Sequence, residues 1–332
     1  MITKIILFLP FSILILPQNY NFFKTCIYLN KGVLRIREEK IMNKNMTALV
    51  SAFVRSYHNK DNSIRVYKDS IAPKILTEEE YDLISKSMVN GINYFNPNYN
   101  GNNPLKWIVN TFLAPSVLSR SIFNEEHLLN EIKLGLKQYV ILGSGYDTST
   151  YKVNKYVKVF ELDKKEMIDD KIKRIRANKI DDSNVNYVKC NFNKDWLSTL
   201  LKTNYDKESK TFCSLLGVSY YLDKDTFRNM LITLASIIPK GSVIIFDYPN
   251  EFVSKKEQVI KSLASTAHEN MLATYTYKDI EDIAKSSNLL IYELLTNEDI
   301  DKNYFYNYNT LNPTTKLLTP IGVNYCLLVK EW

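Results

Sequence analysis

Gly143-Ser144-Gly145-Tyr146-Asp147-Thr148 follows an apolar run, and Val159-Phe160-Glu161-Leu162-Asp163 ends in an acid about 20 residues further on. Glycines at the carboxyl end of a strand let the backbone pass close to a ligand, although a tight structural turn asks for the same residues. A carboxylate at the end of the next strand can accept both hydroxyls of a ribose. Glu161 and Asp163 share one face of that strand and either could do so; Asp163, nearer the end, is the choice. No third glycine completes a dinucleotide fingerprint, and no Gly-Lys-Ser/Thr follows to make a phosphate loop. The pair therefore calls for an adenosine-containing ligand without phosphates, S-adenosyl-L-methionine rather than a nicotinamide dinucleotide.

Other reactive side chains are less informative. His58, His127 and His268 fall in no motif, and His127 is expected on the surface of a helix. Tyr220 and Tyr221 are candidates to line an acceptor pocket, with core packing an equal reading. The Tyr304 to Tyr308 cluster reads as an exposed loop. Cys26, Cys190, Cys213 and Cys326 form no CxxC pair and no metal-ligand spacing, consistent with reduced thiols in a cytoplasmic protein.

Elements that could position these residues emerge from the hydrophobic pattern. Leu49, Val50, Phe53, Val54 and Tyr57 form one face of a helix, and Thr77 with Glu80 reads as a capping box for another, to about Met88. Tyr94 to Pro104 reads as a surface connection, or a lid. Five short apolar runs then alternate with helical segments: Tyr139–Leu142, Val157–Leu162, Val185–Val188, Phe212–Leu216 and Val243–Phe246. Strands buried on both faces look like this, and the β-α-β-α order predicts a parallel sheet. Helices over Ser254–Ala273 and Lys278–Ser287, then strands at Leu289–Leu294 and Val323–Val329, complete the pattern. The expected fold is α/β, a doubly wound, mostly parallel, seven-stranded Rossmann-like sheet with an N-terminal helical cap.

With these pieces in place the chain, from Thr47 to Trp332, resembles the class I methyltransferases of the leucine carboxyl methyltransferase type, particularly their bacterial branch of small-molecule O-methyltransferases. The likeness rests on Thr47-Ala48 with Arg55, Arg120-Ser121 ahead of Glu125, Val140 to Thr148, Val159 to Asp163, Tyr220-Tyr221-Leu222 and Phe246-Asp247-Tyr248. The resemblance implies that Arg120 grips the methionyl carboxylate of S-adenosyl-L-methionine, a task suited to a guanidinium fork. It implies that Gly143, Ser144, Gly145 and Asp147 border the cofactor, that Asp163 (or Glu161) takes the ribose, and that Asn191 and Phe192 flank the adenine. Asn191 stands where the family usually has an acid; Leu216 stands beside the cofactor where a Glu is common. The implied activity is transfer of a methyl group to a small-molecule carboxylate or hydroxyl. The alternatives are a SAM-binding protein that has lost turnover, motivated by Leu216, and a nicotinamide-dependent oxidoreductase.

Composition narrows the remaining classes. The 332 residues are 45% hydrophobic with 9 Gly and 10 Pro, which excludes disordered and collagen-like chains. Of the net charge of +7, residues 1–41 carry six basic against two acidic side chains, leaving 37 against 34 and so +3 for the rest. A balance that small is no footprint for nucleic acid. The apolar run Ile5 to Leu16 is interrupted by Pro10 and is shorter than the roughly 20 residues of a membrane span. Arg37-Glu38-Glu39-Lys40 ahead of Met42 can be encoded by purines alone, as a ribosome-binding site would be. Residues 1–41 are therefore expected to be an untranslated or disordered extension, with translation starting at Met42 or Met46. Residues 42–332 are expected to form one domain, with a cap over about 42–130 and an α/β core over about 131–332.

Overall fold

The computed structural model describes residues 46–61, 64–194, 196–251, 271–319 and 322–331, together with 258 and 262. The proposed extension and His268 lie outside them, as does most of the helix expected over Ser254–Ala273, whose last residues, 271–273, are not helical.

The chain opens on α1 (Met46–Asp61), whose stripe of Leu49, Phe53 and Tyr57 is buried. A short turn of helix at Ala72–Ile75 leads to α2 (Glu78–Asn90). Its start is the expected capping box: Glu80 N donates to Thr77 Oγ1 at 3.2 Å, and Thr77 N donates back to Glu80 Oε2 at 3.1 Å. Replacing Thr77 by alanine is expected to cost about 1 kcal/mol. A lowered urea midpoint with an unchanged slope would check this, since the slope reports surface exposed rather than stability.

Only 96–103 of the stretch expected to be a loop is irregular; Tyr94 and Phe95 belong to a short helix, Ile92–Phe95. Pro104–Ile108 is helical, a wide turn at Val109–Leu113 follows, and α3 (Ala114–Lys133) runs on from it.

From there strands and helices alternate: β1 (Gln138–Leu142), β2 (Lys158–Asp163), α4 (Lys165–Ala177), β3 (Val185–Lys189), α5 (Trp196–Leu201), β4 (Thr211–Leu215), α6 (Lys224–Ala235) and β5 (Val243–Pro249). The chain closes with α7 (Tyr277–Ser286), β6 (Leu289–Leu295), three short helical turns between Asn297 and Leu311, and β7 (Val323–Lys330).

The seven strands lie in the order β3-β2-β1-β4-β5-β7-β6. The first five are parallel, and β7 runs antiparallel to both β5 and β6. Every residue of β1, β4 and β5 is buried, the consequence of helices covering both faces. Alternation along β1 shows the two layers directly. Tyr139 and Ile141 pack into the core shared with α1 and α3, whereas Val140 and Leu142 pack into the core shared with α5, α6 and α7. Chain order reverses between β1 and β4, so their carboxyl ends diverge and leave a crevice there, the usual ligand position in such a sheet.

Candidate functional site

A cavity of about 520 Å³ occupies that crevice, within the roughly 300–1,000 Å³ of small-molecule sites. The loops after β1, β2, β3 and β4 form its sheet side; α1 and α3 bring Ala48, Ser51, Arg55 and Arg120 from the helical cap.

The loop after β1 is built for close approach. Gly143 has φ +73°, and a Cβ there would stand 2.6 Å from Val218 Cγ2, so a side chain would push the β1 and β4 loops apart. Its N–H and that of Ser144 donate to Leu162 O at 2.9 and 3.2 Å, fastening the loop to β2. Gly145 N donates to Asp163 Oδ2 at 2.8 Å and Lys164 N to Oδ1 at 2.7 Å. These bonds fix the carboxylate plane at the cavity wall and use one acceptor site on each oxygen, leaving one free on each. Burial nevertheless holds the Asp163 carboxyl above its ordinary pKa, outweighing both N–H groups. Asp147 also lines the cavity and receives Ser149 N at 2.7 Å. The Ser144 hydroxyl is buried with no hydrogen-bond partner among the described residues.

Asn191 and Phe192, just past β3, line the same cavity. Asn191 Oδ1 accepts from Asn193 N at 3.0 Å and keeps one lone pair. Leu216, Val218, Tyr221, Leu222 and Leu272 supply an apolar wall on the β4 side.

Arg55 links the cap to the glycine loop. Its guanidinium donates to Asp69 Oδ2 at 2.9 Å, Ser51 Oγ at 3.0 Å and the Tyr146 carbonyl at 2.6 Å. Thr148 Oγ1 donates to the same Asp69 oxygen at 2.7 Å. Burial would raise the Asp69 pKa, but Arg55, Thr148 and the Ala72 N–H outweigh it and hold it below its usual value. Asp69 carried no sequence signal for this role, because Arg55 and Thr148, which it joins, lie 14 and 79 residues away along the chain.

Arg120 reaches the cavity from α3 with about a fifth of its side chain exposed. Its NH1 lies 3.7 Å from the Oδ2 atom of Asp247, which is fully buried at the end of β5, and it makes no hydrogen bond to any described residue. Burial disfavours its charge, but Asp247 outweighs that and raises its pKa.

Several expectations require correction. Glu161 does not line the cavity: one pleat below Asp163, it lies beneath the turn at Ser149–Lys152, where it accepts from Thr150 Oγ1 at 2.6 Å and pairs with Lys171 Nζ at 2.7 Å. Of the two tyrosines only Tyr221 lines the cavity; Tyr220 is buried, and its hydroxyl donates to Asp247 at 3.2 Å. The Tyr304 to Tyr308 segment is helical rather than an exposed loop, and its Phe305 and Tyr308 are buried in the core. His127 is half-buried against Phe123, 3.3 Å from Glu293, and burial lowers its pKa to about 4. It does not line the cavity.

Among the described residues no group of His, Cys, Asp or Glu could hold a metal ion, and no helix is long and apolar enough to cross a membrane.

Comparison with known proteins adds to this geometry. Residues 48–235 match the model of the leucine carboxyl methyltransferase family. YktD of Bacillus subtilis, whose name describes an inferred S-adenosyl-L-methionine-dependent methyltransferase, is 35% identical over 80% of this chain and 94% of its own. A similarly named protein of Saccharopolyspora erythraea is 28% identical over 39% of this chain and 46% of its own. Among solved structures, a DUF574 family protein from Streptomyces avermitilis superposes with a TM-score of 0.53 at 11% identity, covering 85% of this chain and 97% of that one. An inferred methyltransferase from Thermobifida fusca gives a TM-score of 0.50 at 15% identity, over 73% and 93%. At these identities the two structures speak for the fold alone.

Proposed function

The chain belongs to the leucine carboxyl methyltransferase family and is an S-adenosyl-L-methionine-dependent methyltransferase, and from that premise we propose that it methylates an oxygen of a small-molecule carboxylate or hydroxyl. The observation that carries the reading is the convergence on one cavity of Arg120, the Gly143–Gly145 loop, Asp163, and Asn191 with Phe192.

The residues fit the cofactor. A largely buried guanidinium with uncommitted donors suits the methionyl carboxylate, and the fixed Asp163 carboxylate keeps an acceptor site on each oxygen for the two ribose hydroxyls. Asn191 and Phe192 stand beyond it, where the adenine would extend, and glycine at 143 leaves the backbone bare where the chain must come closest.

When bound, S-adenosyl-L-methionine supplies a sulfonium methyl group, open to in-line displacement. The protein's task is then alignment and exclusion of water, and the wall of Leu216, Val218, Leu222 and Leu272 serves the second. Among the described residues no histidine or glutamate lines the cavity. A carboxylate acceptor, already ionised near neutral pH, needs no general base and suits such a lining. For a phenol or alcohol the described lining residues offer Tyr221, Asp147 and Asp163.

The full-length chain should therefore transfer labelled methyl groups from S-adenosyl-L-methionine to members of a panel of small carboxylic acids and phenols. Methyl esters release methanol in mild alkali and aryl ethers do not, so base lability of the product separates the two acceptor classes. Transfer only to a nitrogen or carbon acceptor would overturn the proposal. Tight binding of S-adenosylhomocysteine without transfer to any acceptor would favour the turnover-deficient reading that Leu216 motivates.

A further inference from the structure

Asp247 was expected only as part of a recognition motif, yet it sits where three walls of the site meet. Its carboxylate is fully buried near the carboxyl end of β5 and is absent from the cavity lining. Oδ1 accepts from Gly217 N at 2.6 Å, in the turn that follows β4. Oδ2 accepts from the Tyr220 hydroxyl at 3.2 Å and lies 3.7 Å from Arg120 NH1 on α3. The backbone carbonyl of Asp247 accepts from Ser219 Oγ at 2.6 Å, so the same residue fastens the turn at three points.

A buried carboxylate is costly unless paired, and burial does raise the Asp247 pKa despite Arg120, Gly217 and Tyr220. Retaining such a group needs a compensating role. Gly217 shows how closely Arg120 is confined: at φ +71°, a Cβ there would stand 2.5 Å from Arg120 NH1. The guanidinium is thus held between the Gly217 backbone and the Asp247 carboxylate, with its hydrogen-bond donors unused.

Resting on the cofactor assignment above, we propose that Asp247 is a positioning residue: it holds Arg120 in register to receive the cofactor's carboxylate and locks the Gly217–Tyr221 turn that walls the cavity beside it. It touches neither cofactor nor acceptor. An asparagine there keeps an acceptor for Gly217 N but turns N–H donors toward Tyr220 and the guanidinium, so Arg120 loses its counter-charge and its alignment while the fold keeps its shape.

The test is calorimetric titration of the full chain with S-adenosylhomocysteine and with 5′-methylthioadenosine, which retains the adenosine and thioether but has no carboxylate. Asp247→Asn should weaken S-adenosylhomocysteine by about tenfold, the scale of one charge-assisted contact, and leave 5′-methylthioadenosine within about twofold. Tyr220→Phe, which removes one of the two groups holding Oδ2, should shift the ratio the same way by a smaller factor. It carries the test if Asp247→Asn shows no cooperative thermal transition. Parallel loss of both ligands would mean a merely structural role and overturn the proposal, as would unchanged or tighter S-adenosylhomocysteine binding. If Arg120→Ala selectively loses S-adenosylhomocysteine while Asp247→Asn does not, only the positioning role fails; if the wild-type chain binds neither ligand, the cofactor-site reading fails with it.

Discussion

Asp163→Ala is expected to weaken S-adenosylhomocysteine binding by about 100-fold, the equivalent of two charge-assisted hydrogen bonds at roughly 1.5 kcal/mol each. Among the described residues Asp163 is the one acid at the cavity wall whose two oxygens are each anchored by a backbone N–H, from Gly145 and Lys164, with an acceptor site still free on both. The two hydroxyls of a ribose present the matching pair of donors. Alanine removes both acceptors and also releases Gly145 N, so the glycine loop loses one tether to β2. Asp163→Asn keeps a single oxygen and should fall between the two, near tenfold, since roughly half of the interaction survives. Isothermal calorimetry on the three proteins checks this, with Glu161→Gln as the contrast. Glu161 lies beneath the loop instead of on the cavity and should change stability far more than affinity. Binding by Asp163→Ala within threefold of wild type would remove Asp163 from the site.

The contrast between two acids a pleat apart also shows where the sequence stops being legible. Period-2 geometry places Glu161 and Asp163 on one face, but only the fold reveals that the turn at Ser149–Lys152 covers the first and leaves the second at the rim. The central strands were legible because both of their faces are covered, so continuous apolar runs such as Tyr139–Leu142 mark them to within a residue, except that β5 runs on three residues past the expected Phe246 to Pro249. The helix α3 was legible only around His127; its first half was not, because its buried face interleaves Pro115, Ser119 and Asn124 with apolar residues and so weakens the helical period. The Tyr304 to Tyr308 segment misled for the opposite reason: its asparagine and tyrosines read as loop chemistry, yet Phe305 and Tyr308 fill the core beneath the cap. Of the site, the G-x-G loop and Asp163 could be read from local spacing. Asp69 and Asp247 could not be assigned a role, because each acts on an arginine that is remote in sequence and adjacent only once the chain has folded.

Lys171→Met is expected to cost about 3–5 kcal/mol of folding stability, the largest effect of any single change considered, without touching the cavity. Lys171 and Glu161 are both fully buried between α4 and β2. Their charged atoms are 2.7 Å apart, and Thr150 Oγ1 donates to the other carboxylate oxygen at 2.6 Å. Burial already raises the Glu161 pKa, against the pull of Lys171. Without the lysine the carboxylate keeps only Thr150, and the folded state must either carry an uncompensated charge or hold a proton that the unfolded chain releases near its ordinary pKa of about 4.3. The folded protein then binds more protons than the unfolded one, so the variant should lose stability as pH rises from there through the elevated folded pKa. Urea denaturation at pH 5 and pH 8 should show the larger deficit at pH 8. Adding Glu161→Leu to Lys171→Met removes the stranded charge and should recover most of the loss, because replacing a buried ion pair by apolar side chains is often close to neutral. A double variant no more stable than Lys171→Met would show that the cost lies in packing around the lysine stem rather than in the orphaned carboxylate.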